Sequence, residues 1–358
     1  MRKLKVFIIL LLLGLLIGSY FYQKRPLISV IMSTYNRTST NINYLSHAIE
    51  SILNQTESNF EFIIINDGST DETRQLLKEF SKKDPRIKVL TNNTNKGLPY
   101  SLNKGLKIAK GKYIARMDDD DWSFPTRFQK QTAFLEKNKN IIATGCSFQK
   151  DFILPSDPEI SKILTFWDVP VIHPCAMIRN DFLKKHKIQY PESFPNAEDM
   201  PFWFEITVKH NGAISNLSEV LLFKSGSSPK PTNYLKKQRN SVYKYRQYAC
   251  NYFNKNKKDY KNGQECYRDL AKNNKVQKHL NIDKLKQFTN EYFPPENSIY
   301  VIHPQWTDYL ILEGNKAFRR QKKESASIIE KNDTFIKVKW DKYGIETFEK
   351  IGNDFYLK

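Results

Sequence analysis

The sequence predicts an α/β fold with a mostly parallel central sheet. One transmembrane helix precedes it, and a basic, largely helical extension with a small β-module follows. Three observations predict this. Short apolar runs alternate with helical apolar spacings between residues 27 and 146. An uninterrupted apolar stretch fills residues 6–22. Residues 230–286 carry sixteen Lys and Arg against four Asp and Glu.

The apolar stretch is framed by Arg2, Lys3 and Lys5 on one side and by Lys24 and Arg25 on the other. It is long enough to span a thin bilayer, and Tyr20 and Tyr22 suit the headgroup boundary. Bulky aromatics follow Gly18 and Ser19, which disfavours signal-peptide cleavage and favours a single-pass anchor over residues 1–25. Basic residues flank both ends, so the side of the membrane stays open.

The globular part is expected over residues 26–225. Strands are expected at 27–32, 60–65, 87–90, 113–117 and 141–146. Helices are expected at 43–55, from Asp71 after a Ser69–Glu72 capping box, at 99–109 and at 125–137. Continuous apolar strands alternating with helices specify a parallel sheet covered on both faces. Residues 149–170 read as irregular, 171–178 as a strand, 199–210 as a helix, and 213–217 and 220–223 as closing strands. A Ser-, Gly- and Pro-rich linker at 225–231 opens the extension, 226–358, which reads as helical to about residue 288 and as β at 335–357.

The net charge is +19 over 358 residues, which favours anionic partners such as nucleotides or phospholipid surfaces. Cys146, Cys175, Cys250 and Cys266 show no C-x-x-C spacing. This argues against a zinc site and leaves four free, mostly buried thiols as the expectation.

In such sheets ligands bind beyond the carboxyl ends of the strands. The chemistry-bearing residues are there. Asp118, Asp119, Asp120 and Asp121 follow the strand at 113–117. Adjacent carboxylates repel one another, and a hard divalent cation, Mn2+ or Mg2+, relieves the repulsion while holding substrate phosphates. Asp67 and Gly68 end the second strand, where Asp67 can accept hydrogen bonds from a base or ribose. Thr34, Tyr35, Asn36 and Arg37 end the first.

The runs Ser29-Val-Ile-Met-Ser-Thr-Tyr-Asn-Arg37, Ile64-Ile-Asn-Asp-Gly-Ser-Thr-Asp-Glu-Thr73 and Gly111-Lys-Tyr-Ile-Ala-Arg-Met-Asp-Asp-Asp-Asp121 resemble family 2 glycosyltransferases of the GT-A, nucleotide-sugar-binding fold. Asn95-Lys-Gly97 with Asn103, His173-Pro-Cys-Ala-Met-Ile-Arg179 and Asn196-Ala-Glu-Asp-Met200 are similar too, so the resemblance covers residues 27 to 224. It implies an inverting transfer from a nucleotide sugar, often a UDP-sugar, to a glycan, lipid or glycoprotein acceptor. It implies Asp120 and Asp118 as metal ligands, with Asp118 and Asp119 also touching the donor. Thr34, Tyr35, Asn36, Arg37, Asp67 and Lys96 would complete the donor site. Asp199 would be the general base, supported by Glu198. His173 and Trp203 would lie near the acceptor or a phosphate. Asn66 stands where the family usually has a first acid, and Trp122 where an aliphatic residue is usual.

Two other expectations follow from the residues. A sugar nucleotidyltransferase also uses acidic pairs and a divalent ion, but the Gly-rich basic loop it needs is missing near 32–37. A non-catalytic basic protein would hold a membrane or nucleic acid through its C-terminal half. The basic segment at 233–288 reads first as a solvated helical surface, with docking to an anionic membrane as its functional reading; nucleic acid is not expected.

Overall fold

A computed structural model of the chain describes residues 25–150, 154–225 and 232–286, apart from 255, 256, 262, 274, 277 and 278, and the strands of a barrel between 298 and 357. The anchor expected at 6–22 and most of the expected linker lie outside the described residues. Among the described residues no helix is long and apolar enough to cross a membrane. The chain divides into two units, Met1–Tyr245 and Arg246–Lys358.

The first unit opens with β1 (Ile28–Thr34), α1 (Thr38–Leu53), β2 (Phe60–Asn66), α2 (Thr73–Lys83), β3 (Ile87–Thr91), α3 (Leu98–Ile108) and β4 (Tyr113–Met117). Every residue of β2 and β4 is buried, as the continuous apolar runs require. Next come β5 (Trp122–Ser123), α4 (Arg127–Lys137), β6 (Ile141–Thr144) and α5 (Pro158–Leu164). Then follow a 3-10 turn (His173–Cys175), β7 (Met177–Arg179), α6 (Asn180–His186), α7 (Asp199–Phe204), β8 (Ala213–Ile214), β9 (Leu222–Phe223) and α8 (Thr232–Cys250).

The main sheet has the order β3-β2-β1-β4-β7-β6-β8. The pairs β1–β2, β2–β3 and β1–β4 are parallel, with Met32 opposite both Ile64 and Met117. Strand β7 runs antiparallel to both β4 and β6. The chain starts in the middle, at β1, and winds outward in both directions, so the crevice between the ends of β1 and β4 is the topological switch point. One apolar cluster packs α1, with Leu45, Ile49 and Ile52, under one face of the sheet. A second packs Leu102, Tyr190, Phe202 and Trp203 on the other.

Several local expectations are corrected. The capping box does not form: Ser69 Oγ accepts from Asn36 N at 3.0 Å, and Asp71 Oδ1 accepts from Thr73 N at 3.0 Å instead. The expected strand at 171–178 is a turn followed by three strand residues, because Pro174 lacks the N–H a ladder needs. The irregular stretch contains α5, capped by Asp157, whose side chain accepts from Glu159 N at 2.8 Å. Helix α7 is short and passes into a π-turn at Glu205–Lys209.

The division between the units falls within α8. In the first unit Tyr245, which is buried, donates its hydroxyl to Thr165 O, and Gln238 Nε2 donates to Asn196 O at 3.1 Å. In the second unit a disulfide joins Cys250 to Cys266, which lies in α9 (Gly263–Lys272). This overturns the expectation of four free thiols; Cys146 and Cys175 are free and buried.

The β part of the extension is larger than expected. It comprises β10 (Ser298–His303), β11 (Trp306–Glu313), β12 (Lys316–Arg319), β13 (Glu324–Lys331), β14 (Phe335–Trp340), β15 (Gly344–Ile351) and β16 (Asp354–Leu357). These strands form a closed barrel. Sequential neighbours pair antiparallel, and β10 closes on β16 in parallel.

Candidate active site

Four loops meet at the carboxyl ends of β1 to β4, the first bonded to the second and the fourth, and the second to the third. Asn36, with φ of 48°, accepts from Thr70 N at 2.8 Å through Oδ1. Arg37 N donates to Thr73 Oγ1 at 2.9 Å. Thr34 is buried and its Oγ1 has no partner among the described residues, while the Tyr35 ring is 45% exposed beside it. The first expected group is therefore together at one strand end.

Asp67 fixes the third loop. Its Oδ1 accepts from Asn92 Nδ2 at 2.7 Å and Lys96 N at 2.9 Å, and its Oδ2 accepts from Gly97 N at 2.9 Å. Gly68, with φ of 76°, lets this loop approach: a Cβ there would lie 2.4 Å from the Thr94 carbonyl carbon. Three of about four acceptor positions on Asp67 are thus occupied by protein. The Lys96 side chain is exposed at the rim.

The four acids divide by partner. Arg37 donates to Asp119 from Nε at 3.0 Å and Nη2 at 2.5 Å, and reaches Asp120 Oδ2 at 3.4 Å. Asp118 pairs with Arg116. Asp121 is buried; its Oδ1 accepts from Ser225 N at 3.1 Å and its Oδ2 has no partner among the described residues. Asp118, Asp120 and Asp121 each offer an oxygen within 4.8 Å of the others. Burial, then the charges of Asp118 and Asp120, push Asp121 up to about 7. Burial alone would raise Asp118, but the Arg116 guanidinium holds it below the usual carboxylate range. Three hard oxygen donors, one of them a buried orphan, fit a small divalent cation. The trio contains Asp121, which the sequence reading did not assign, and leaves Asp119 to Arg37.

Glu198 and Asp199 open α7. Asp199 Oδ1 accepts from Met200 N at 2.9 Å. Burial raises Asp199 to about 6, against the opposing pull of Arg116. Burial and the neighbouring Asp199 charge raise Glu198 to about 7. His173 is buried with Nε2 2.9 Å from the Tyr190 hydroxyl, and burial, then Arg116, hold it well below its ordinary pKa. Tyr190 in turn stacks on Phe202 at 4.0 Å and is anchored by Asn103, whose Oδ1 accepts from Tyr190 N at 2.8 Å. Trp203 is not brought to the acids; it is fully buried in the apolar cluster, edge-to-face with Phe202.

Besides Asp121, the sequence reading missed three residues here. Arg116 is buried on β4, and its charge acts on Asp118, Glu198 and Asp199 alike. Arg127, fully buried, braces the loop that carries the acids: Nη2 donates to Arg116 O at 2.9 Å and Nη1 to Ser123 Oγ at 2.9 Å. Tyr234 on α8 is raised to about 12 by burial and by Glu198, Asp118 and Asp199. A charged residue inside a run as apolar as Tyr113-Ile-Ala-Arg-Met117 was the signal for Arg116. Nothing local marks Tyr234.

Known proteins share this sequence pattern. The profile of Glycosyl transferase family 2 matches residues 29–191. An uncharacterized glycosyltransferase of Methanocaldococcus jannaschii is 33% identical over 251 residues, which are 66% of this chain and 83% of the relative. The chain belongs to glycosyl transferase family 2. This glycosyltransferase is also 36% identical to an O-antigen biosynthesis glycosyltransferase of Escherichia coli, over 55% of the chain and 78% of the relative. It is 36% identical to an uncharacterized glycosyltransferase of Haemophilus influenzae over 55% of the chain, and there spans 64% of the relative's length. Its fold is similar to that of a mannosyltransferase from Pyrobaculum calidifontis solved with GDP-Man and Mn2+. The TM-score is 0.50 at 16% identity, covering 62% of this chain and 64% of that one.

Proposed function

We propose that this glycosyltransferase moves a sugar from a nucleotide sugar to an acceptor hydroxyl, with inversion at the anomeric carbon. One observation carries the reading. Two acidic groups far apart in sequence, Asp118–Asp121 and Glu198–Asp199, share one buried guanidinium: Arg116 pairs with Asp118 and acts on Glu198 and Asp199, and Asp118 also acts on Glu198. An enzyme that stabilises a leaving diphosphate on one side and deprotonates an acceptor on the other needs such a pair of walls.

Asp118, Asp120 and Asp121 would hold a divalent cation, Mn2+ or Mg2+, which supplies positive charge to the leaving diphosphate. That the Pyrobaculum enzyme was solved with both GDP-Man and Mn2+ is in keeping with this. Thr34, Tyr35 and Asn36 line the base side. Asp67 fixes the loop carrying Lys96 and keeps one acceptor position for a base N–H. Asp119 holds Arg37, and Arg37 keeps the strand-end loop in place. Asp199 takes the proton from the acceptor hydroxyl as the new bond forms on the face opposite the leaving group. A carboxyl raised to about 6 is a stronger base than an exposed aspartate and is still ionised at neutral pH. Glu198 supports it, and neutral His173 positions Tyr190.

The acceptor in this reading is a glycan on a lipid or protein at a membrane. The apolar run at 6–22 and the five Lys and Arg of α8, with no Asp or Glu in that helix, support a place at an anionic surface. The test is nucleoside diphosphate release from a panel of UDP- and GDP-sugars with Mn2+. The reading expects turnover of at least one donor, abolished by Asp120→Ala and Asp199→Asn. Unchanged release by both variants rejects the assigned roles.

A further inference from the structure

We propose that Arg116 binds the transferred sugar directly and that this sugar is uncharged. The inference rests on the reading above and names the class of donor.

Arg116 is 4% exposed, yet only Nη2 of its guanidinium has a partner, Asp118. Nε and Nη1 are buried without one among the described residues. Burying a charged group's N–H unpaired is costly, and folded proteins rarely tolerate two such atoms on one side chain without a function. The side chain is not loosely placed. Its backbone N donates to Ala176 O at 3.0 Å, and its carbonyl accepts from Arg127 Nη2 at 2.9 Å. Asp118 holds Nη2, so Nε and Nη1 of the same planar fork have fixed positions.

Arg116 acts on both halves of the reaction. Asp118, in the cation-binding trio, takes one nitrogen. Glu198, Asp199 and His173, on the acceptor side, all feel the charge. The group between a leaving diphosphate and an attacking hydroxyl is the sugar being transferred. Its hydroxyl oxygens are acceptors that Nε and Nη1 can satisfy.

Charge decides the class. Asp118, Asp120, Asp121, Glu198 and Asp199 outnumber Arg116 and the exposed Lys224, while Arg37 is taken by Asp119 and a bound divalent cation would be matched by the diphosphate it holds. A sugar carboxylate would add a further negative charge to this set and be repelled. Neutral pyranoses bring acceptors without charge.

The experiment compares binding of UDP-glucose, UDP-GlcNAc and GDP-mannose with binding of UDP and GDP, all with Mn2+, to the full chain. Arg116→Gln is expected to weaken the nucleotide sugar that binds by about 10- to 100-fold and its nucleoside diphosphate by less than about 3-fold. Arg116→Lys, which keeps a cation beside Asp118 but loses the fork, is expected to show the same split if the Gln variant does not fold. UDP-glucuronic acid is expected to bind wild type no more tightly than UDP. Equal weakening of sugar nucleotide and diphosphate would overturn the inference and leave Arg116 as a support for Asp118. Tight UDP-glucuronic acid binding would also overturn it. A wild type that binds none of these nucleotides would instead overturn the proposed function.

Discussion

Arg37 grips both carboxylate oxygens of Asp119, from Nε at 3.0 Å and Nη2 at 2.5 Å, and so removes one member from a run of four acids. The remaining three, Asp118, Asp120 and Asp121, converge. Adjacent residues with one side chain type thus divide into a structural clamp and a ligand set.

Asp119→Asn is expected to keep Mn2+ binding within about 3-fold, whereas Asp120→Asn and Asp121→Asn each weaken it by about 10-fold or more, the loss of one charged ligand. Calorimetric titration of the metal-free chain measures this. The Asp119→Asn variant is expected to melt lower, because Arg37 loses a bidentate partner.

Asp121, Glu198 and Asp199 all bind their protons more tightly in the folded chain than an exposed carboxyl does. Their contribution to stability is therefore present at low pH and lost as pH rises through about 6 to 7. Metal-free protein is expected to be more stable near pH 6 than near pH 8, by on the order of 1 kcal/mol per group. Chemical denaturation at the two pH values in chelator checks the sign. Saturating Mn2+ is expected to remove or reverse the trend, since ligation favours the ionised trio.

Asp199→Asn is expected to lower kcat by at least about 100-fold while leaving nucleotide-sugar affinity within a few-fold, the pattern of a lost general base. Wild-type kcat is expected to fall as pH drops through about 6, the value to which burial raises Asp199. A pH profile and single-turnover measurements together check both.

The Cys250–Cys266 disulfide closes a short loop, with a sequence separation of 16. Cross-links of this span stabilise by about 3 kcal/mol in the chain-entropy account. A Cys250→Ser, Cys266→Ser variant is expected to lose protection of α9 in hydrogen exchange while Asp118, Asp120 and Asp121 still bind Mn2+.

The four parallel strands were legible because β1, β2 and β4 are buried along nearly their whole length and so read as unbroken apolar runs. The acids at their ends were legible because charge after such a run is conspicuous. What was not legible depends on partners distant in sequence. Ser69 has the spacing of a helix cap, but Asn36, 33 residues earlier, takes its hydroxyl. Asp121, a member of the trio, accepts at its other oxygen from Ser225 N, 104 residues later. Asp67 looks like a free base-reading acid, yet it carries the Asn92–Gly97 loop. In the extension, charged residues interleaved in runs such as Trp306–Glu313 concealed the strand pattern.

The most direct test of the cation site is anomalous diffraction at the manganese edge from crystals grown with Mn2+ and UDP. The account predicts one strong peak coordinated by oxygens of Asp118, Asp120 and Asp121 and by the diphosphate, with Asp119 still on Arg37. A peak elsewhere, or a diphosphate bound with those three carboxylates unligated, would contradict it.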